Sequence, residues 1–375
     1  PNINLVIGGP HMTAMPFLTM QTNLFNYGIV QEGEIPFLRL VKCLLRKEGA
    51  LKEIPNLFYK EGDQWVENQK RCFIEKLDEI PFPARDLCAD LSLYIPPVGA
   101  FRKKPVTSII TSRGCPYSCI FCDNNTFGRK TRFFSAEYVA SEIEMLISQF
   151  GIREISFLDD TFILDRDRFF KIFYLLKEKN IKISWTCMTR VNNLDRDLIK
   201  FLADHGCWQL RIGIESGNQN VLNFIKKGIT LDQVRNVTKW CKEFGVMVTG
   251  FFMFGHHIDT PETIQETIDF ALSLHLTDIT ATINTPMPGT ESYRLAKQYG
   301  TYHEEDWTAL NYWTPIFVPH GLSREFLLKK QGELYRKFYR RPHIIYGQIK
   351  KMRSLGDIFF YIQNLILGLK FTLKK

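Results

Sequence analysis

Short apolar runs alternate with longer stretches of helical periodicity through the middle of the chain. Residues 106–111, 154–158, 183–188, 209–214, 246–253 and 278–283 read as strands. The segments between them carry helix start and stop signals. Ser135 caps a helix that runs to Phe150 and stops at Gly151, and Asp195 opens one that ends at Gly206. Thr230-Leu-Asp-Gln233 has the form of a capping box, with Gly245 closing its helix, and Thr260-Pro261 sets a cap ahead of a first-turn proline. Strand–helix units in unbroken succession predict a parallel sheet with right-handed crossovers. The fold class expected is α/β, a partial (β/α)6 TIM-like barrel with its site at the carboxyl ends of the strands.

A second pattern precedes it. Leu5-Val-Ile-Gly-Gly-Pro-His-Met-Thr13 is an apolar strand running into a glycine pair, and Gly28-Ile-Val-Gln-Glu-Gly-Glu34 repeats that form. An amphipathic helix is expected over 35–45, and a hairpin over 56–66 turning at Glu61-Gly-Asp63. Ile80-Pro-Phe-Pro83 has a proline-restricted backbone and marks a linker. The expected division is an N-terminal domain over 1–75, a linker over 76–104, a barrel over 105–294 and a mostly helical extension over 295–375. The chain opens at Pro1 directly on strand-like sequence, so an upstream segment is expected.

Charge changes the picture in one place. The net charge is +8, but residues 324–375 hold 13 Lys and Arg against 3 Asp and Glu, which leaves the body near neutral. No RNA-binding module follows the barrel, so the basic balance does not point to nucleic acid. Within the tail, residues 358–369 form an apolar run too short to span a bilayer. A helix lying on an anionic membrane surface and a helix packed on the body are equally open there. Nine cysteines make an odd set with no paired framework, which argues for a reducing, cytoplasmic compartment, free or peripheral at the inner membrane face.

Three of those cysteines carry the chemistry. Cys115, Cys119 and Cys122 follow the first barrel strand at C-x3-C-x2-C spacing, in a loop marked by Pro116, Ser118 and Asp123. Zinc usually takes a fourth Cys or His from a second pair, and none lies nearby. A four-iron cluster accepts three cysteines and leaves one iron open. With Phe121 just ahead of the third cysteine, the stretch resembles the signature of radical S-adenosylmethionine (SAM) enzymes. Gly8-Gly-Pro-His11 and Glu32-Gly-Glu34 resemble the end of the doubly wound cobalamin-binding domain found in front of many of them. That domain's Asp-x-His-x-x-Gly segment would lie before Pro1.

The resemblance implies a [4Fe-4S] cluster on Cys115, Cys119 and Cys122, with SAM on its open iron. It implies SAM contacts from Phe121, from Asp159 and Asp160 after the second strand, and from Arg190 after the third. Arg211, Glu215 and Ser216 on the fourth strand and Pro288 in the turn after the sixth complete that set. For the carboxylates helix capping is the competing role, and for Arg190 a surface ion pair. Gly8, Gly9, His11, Glu32, Gly33 and Glu34 would face cobalamin. His256 and His257 stand where the family has Gly-x-Pro; lining the substrate site, binding a metal and lying in a solvated loop are all open for them, with the solvated loop the default expectation. Trp307, Tyr312, Trp313 and Phe317 are expected to cap the barrel mouth. The implied activity is reductive cleavage of SAM to a 5′-deoxyadenosyl radical and cobalamin-dependent methylation of an unactivated carbon. The substrate would be a small or lipid-like molecule, and the partner an external one-electron reductant such as flavodoxin or ferredoxin. Radical cyclisation, rearrangement or sulfur insertion is the rival outcome, and a non-catalytic metal-stabilised binding protein the rival class.

Overall fold

The structure, a computed structural model, describes residues 3–68, 72–88, 91–94, 96, 100–303 and 307–351. The apolar tail over 358–369 lies outside them, as does the side chain of Trp307. Among the described residues no helix is long and apolar enough to cross a membrane. The chain divides into two units. One comprises Pro1–Glu79, Ser112–Phe134 and Pro286–Leu295, and the other Ile80–Thr111, Ser135–Thr285 and the chain from Ala296 onward.

The first unit is built on a four-stranded sheet in the order β1 (Val6–Ile7), β2 (Tyr27–Ile29), β3 (Leu57–Glu61) and β4 (Gln64–Glu67). β1 and β2 are parallel, and β3 and β4 add an antiparallel hairpin turning at Gly62. Side-chain alternation sends Leu57 and Tyr59 to one face and Phe58 to the other. Helix α3 (Glu34–Arg46) buries Leu40 with Ile29, Ile54, Leu57 and Tyr59. The opposite cluster is Met12, Met20, Val30 and Phe58, from the short helices α1 (Pro10–Ala14) and α2 (Pro16–Gln21) and the sheet. Apolar side chains cover both faces, so the strands read as near-continuous hydrophobic runs. Gly28 on β2 leaves room for the ends of two methionines, since a Cβ there would meet Met12 Cε at 2.4 Å and Met20 Sδ at 2.8 Å.

β5 (Val106–Ile109) belongs to the second unit. The chain then enters the first unit through a two-residue antiparallel pair, β6 (Ser112–Arg113) and β7 (Arg132–Phe133). Back in the second unit come β8 (Glu154–Phe157), β9 (Ser184–Thr189), β10 (Cys207–Glu215), β11 (Met247–Phe254) and β12 (Asp278–Ile283). With β5 these form an open parallel sheet in the order β12-β11-β10-β9-β8-β5, the partial barrel that the pattern predicts. The crossover helices are α4 (Ala136–Phe150), α5 (Arg166–Glu178), α6 (Arg196–Asp204), α7 (Gln219–Phe224), α8 (Leu231–Glu243) and α9 (Pro261–Ser273).

The caps read from sequence do the work expected of them. Ser135 accepts from the Tyr138 amide, Asp195 from the Leu198 amide, and Thr230 with Gln233 makes the full capping box. Helix α8 buries Val234, Val237, Thr238 and Cys241, a one-sided stripe at 3.6-residue spacing. Phe162 stacks on Phe157 at 3.9 Å between ring centroids and meets Phe169 and Trp185 edge-on. Each such pair is worth about 0.5–1.5 kcal/mol beyond its burial. Helix α10 (Glu291–Tyr299) leads to a hairpin of β13 (Gly300–Tyr302) and β14 (Phe317–Pro319), followed by α11 (Arg324–Tyr339). α11 packs on the edge strand β12. There Tyr335 Oη accepts the Ala281 N–H (2.8 Å) and Gln331 Nε2 donates to the Ala281 carbonyl (2.8 Å), so the exposed edge is blunted. Of the aromatics expected to form a cap, Phe317 is buried in β14, while Tyr312 and Trp313 are exposed.

Candidate active site

Thr111 is the last residue of the second unit before the cysteine loop. Its N–H and hydroxyl both donate to Asp159 Oδ1, at 3.0 and 2.9 Å, and Arg168 Nη2 donates to its carbonyl at 2.8 Å. All four groups are buried or part-buried, so the strand end from which the loop departs is fixed in position. At least one Asp159 oxygen therefore serves the backbone. Asp160 is exposed.

Within the first unit the loop is closed at its neck by β6 and β7. Gly114 has φ +89° and a Cβ there would sit 2.6 Å from the Lys130 carbonyl, so only glycine turns the chain into the loop. Inside it, Cys122 N donates to the Cys119 carbonyl (3.2 Å), Cys115 N to that of Gly128 (3.4 Å), and Asn124 Nδ2 to that of Tyr117 (3.1 Å). The turn around Pro288 holds the far side. Ser292 N donates to the Ile120 carbonyl (2.8 Å), and Asn125 Nδ2 bonds Asp123 Oδ1 (2.6 Å) and the Gly289 carbonyl (3.1 Å). Cys119 is buried, Cys115 and Phe121 are half-buried and Cys122 is exposed. A cavity of about 340 Å³ opens beside Cys119 and Cys122, lined also by Gln31, Asn125, Arg129 and Glu291.

Among the described residues no group of three or more His, Cys, Asp or Glu converges on a single ion. A cubane cluster binds each thiolate through a different iron and spreads them apart. Three cysteines on one internally bonded loop, two of which, Cys119 and Cys122, line a cavity, match the ligand count of a four-iron cluster with one open iron.

The neck carries ions. Arg113 and Arg132 face each other across the β6–β7 register. Glu32, buried at 3 % exposure, takes Arg113 Nη1 on Oε1 (2.9 Å) and Arg132 Nη1 on Oε2 (2.8 Å), with the Ile74 amide also on Oε2 (2.7 Å). Glu34, exposed at the start of α3, binds Arg113 Nη2 (2.5 Å). The other residues that the resemblance assigns to cobalamin are placed as follows: Gly8 is exposed, Gly9, with φ +95°, precedes α1, His11 is exposed, and Gly33 precedes α3.

The strand ends of the second unit hold a denser network. β10 bulges between Gly213 and Glu215, and Glu215 adopts φ +68°, a strained conformation for a non-glycine residue. Its Oε1 pairs with Lys227 Nζ at 2.8 Å, both side chains being under 10 % exposed. Arg190, also buried, donates through Nη2 to the Lys227 carbonyl and through Nε to Asn192 Oδ1 (3.3 Å). Ser216 Oγ lies 3.1 Å from Thr267 Oγ1 and accepts the Asn218 amide at 3.1 Å. Arg211 reaches the Ala100 carbonyl at 3.5 Å, and burial lowers its pKa.

His256 and His257 depart from expectation. Both are buried, at 1 and 4 %, because elements remote in sequence close over them. Phe317 packs on His257 with ring centroids 4.9 Å apart, and Phe224 and Tyr299 flank it. Burial, with the neighbouring His257 and Lys227, pushes the His256 pKa down to about 3, so its imidazole is neutral. Asp259 Oδ2 accepts the Gly255 and His256 amides (2.9 Å each) and Oδ1 the Thr263 hydroxyl (2.9 Å). Burial outweighs those bonds and raises its pKa to about 6. Arg113, Arg132, Lys227 and Asp259 were not singled out from the sequence. Arg113 stands two residues before Cys115, but Lys226-Lys227-Gly228 resembles any solvated charge pair.

Comparison with known proteins bears on this arrangement. The model of the radical SAM superfamily matches residues 109–271. A protein of Pyrococcus horikoshii described as uncharacterized methyltransferase PH0819 is 35 % identical over 376 residues, 98 % of this chain and 78 % of the relative. The anaerobic magnesium-protoporphyrin IX monomethyl ester cyclase of Cereibacter sphaeroides is 26 % identical over 92 % of this chain and 56 % of its own length. Among solved structures, the cobalamin-dependent SAM radical enzyme OxsB, with aqua-cobalamin and SAM bound, superposes with a TM-score of 0.66 at 20 % identity. It covers 78 % of this chain and 47 % of that one, a likeness of fold. The chain thus spans about half the length of these last two proteins.

Proposed function

The chain belongs to the radical SAM superfamily, and from that premise we propose that it catalyses radical methylation of an unactivated carbon in a small-molecule substrate, with cobalamin as methyl carrier. The observation that supports the reading most is the three-cysteine loop, bonded at its neck and on its far side, in a chain 35 % identical to a relative named a methyltransferase. Cys115, Cys119 and Cys122 would hold a [4Fe-4S] cluster, which with SAM on its open iron supplies one-electron cleavage of SAM to methionine and a 5′-deoxyadenosyl radical.

The protein's part is positioning. Asp159 and Arg168 fix Thr111, from which the loop departs, and the turn at Pro288 and Gly289 holds the loop's far side. The OxsB likeness and the Gly8-Gly-Pro-His11 run support a cobalamin role for the N-terminal sheet. The rival outcome, radical cyclisation, draws on the identity to the cyclase. The electron would come from an external one-electron donor of the flavodoxin or ferredoxin kind.

The test is anaerobic reconstitution followed by three assays: iron and sulfide content, 5′-deoxyadenosine formed from SAM with reductant, and product mass. Four irons per chain and SAM cleavage, both lost in Cys119→Ala, are expected, with a product heavier by one methyl group. Bound zinc without SAM cleavage would overturn the radical reading. A product lighter by two hydrogens with no methyl gain would replace methylation with ring closure.

A further inference from the structure

We infer that Glu32 is a positioning residue of the cysteine loop, the counter-ion that lets its neck close, and not a ligand contact of the N-terminal sheet. The consequence for the cluster rests on the radical SAM reading. The neck itself does not.

β6 and β7 are two residues each, and their register sets Arg113 directly opposite Arg132. Like charges directly opposite in an antiparallel pair repel, and a two-residue ladder has little to set against that. Glu32 lies between them. Each of its oxygens takes one guanidinium, and the Ile74 amide completes Oε2. Arg132 is bound further to the carbonyls of Ile74 (2.7 Å) and Phe127 (3.0 Å), and its guanidinium lies over the Phe73 ring. Arg113 lies over the Phe127 ring. The node is therefore a hydrogen-bonded set in which the buried Glu32 is the one carboxylate shared by both cations, while the exposed Glu34 serves Arg113 alone. It joins chain positions 81 and 100 residues apart from Glu32, one on each side of the three cysteines. With both carboxylate oxygens occupied inside the protein, little of Glu32 is left to meet a ligand.

Removing its charge opens the neck by repulsion, whereas removing one cation as well relieves that repulsion. A residue that merely filled space would show no such rescue. Arg129 and Lys130 are exposed in the loop and report its opening to trypsin in the metal-free chain. Tryptic cleavage there, and iron loss from the reconstituted chain to a chelator, are measured for wild type, Glu32→Gln and the double variant Glu32→Gln/Arg113→Gln, with circular dichroism as the check of folding. Glu32→Gln is expected to speed both rates by about tenfold or more, and the double variant to recover most of that. Rates for Glu32→Gln within about twofold of wild type, or a double variant no slower than the single one, would overturn the inference. Should Glu32→Gln fail to fold while the double variant folds, the rescue is established by that difference, and if neither folds the inference falls. Failure of the radical reading would show separately, as wild-type chain that takes up no iron but still resists trypsin.

Discussion

Asp259 and His256 are neighbours whose buried ionisations oppose each other, and the pair should hide a pH dependence that either substitution exposes. Burial raises Asp259 from 3.8 to about 6 in the folded chain. Its stabilising effect is full below about pH 3.8 and is lost as pH rises through 6. Burial, with His257 and Lys227 nearby, lowers His256 from 6.5 to about 3. Its effect is full above pH 6.5 and is lost as pH falls toward 3. At pH 5 the folded chain holds most of a proton more at Asp259 than the unfolded chain, and most of a proton less at His256, so the two slopes oppose each other. At about 1.36 kcal/mol per proton per pH unit, the whole effects are roughly 3 kcal/mol for Asp259 and 5 kcal/mol for His256. Urea unfolding of wild type, Asp259→Asn and His256→Gln at half-unit steps from pH 4.5 to 6 tests this, each variant referenced to wild type at the same pH so that other titrations subtract out. On lowering the pH, Asp259→Asn should lose about 1 kcal/mol per unit relative to wild type, and His256→Gln should gain about as much. Difference curves that stay flat, or that slope the same way, would refute the reasoning.

Three other outcomes follow from the same geometry. Lys227→Met should destabilise the chain by about 3–5 kcal/mol, by stranding the buried Glu215 carboxylate, with part recovered in Lys227→Met/Glu215→Gln; urea midpoints measure both. Gly213→Ala places a Cβ 2.4 Å from Glu215 Oε1 and 2.7 Å from Lys227 Nζ, so it should cost about 1–3 kcal/mol in a thermal melt. Asp159→Ala leaves the buried Thr111 donors without their acceptor and should cost about 1–3 kcal/mol, whereas Asp159→Asn keeps an acceptor oxygen and should cost under about 1; equal losses for the two would show that charge, not hydrogen bonding, matters there.

The strands and helices of the second unit were legible because their signals are local. β12 was expected over 278–283 and is found as Asp278–Ile283, and the capping box at Thr230 and Gln233 forms as written. The cysteine loop was legible because its spacing alone restricts the chemistry. What escaped was non-local. β6 and β7 are too short to show a period, and nothing near Glu32 in sequence announces partners 81 and 100 residues away. Adjacent histidines in a loop look solvated until Phe224, Tyr299 and Phe317 close around them. Lys227 looks like a surface lysine until the β10 bulge turns Glu215 toward it.

The first unit draws on three separate stretches, and the last of them, Pro286–Leu295, supplies the bonds from Ser292 to Ile120 and from Asn125 to Gly289. On a ribosome the three cysteines emerge early, but the bonds that complete their loop wait for some 170 further residues. At about 5–20 residues per second that is roughly ten to thirty seconds. In that interval strands β8 through β12 all emerge, β8 pairing with β5 and each later one with the strand made just before it. The thiols of a nascent chain therefore stand open to oxidants and stray metals through that whole interval, which favours iron delivery after translation has passed Leu295.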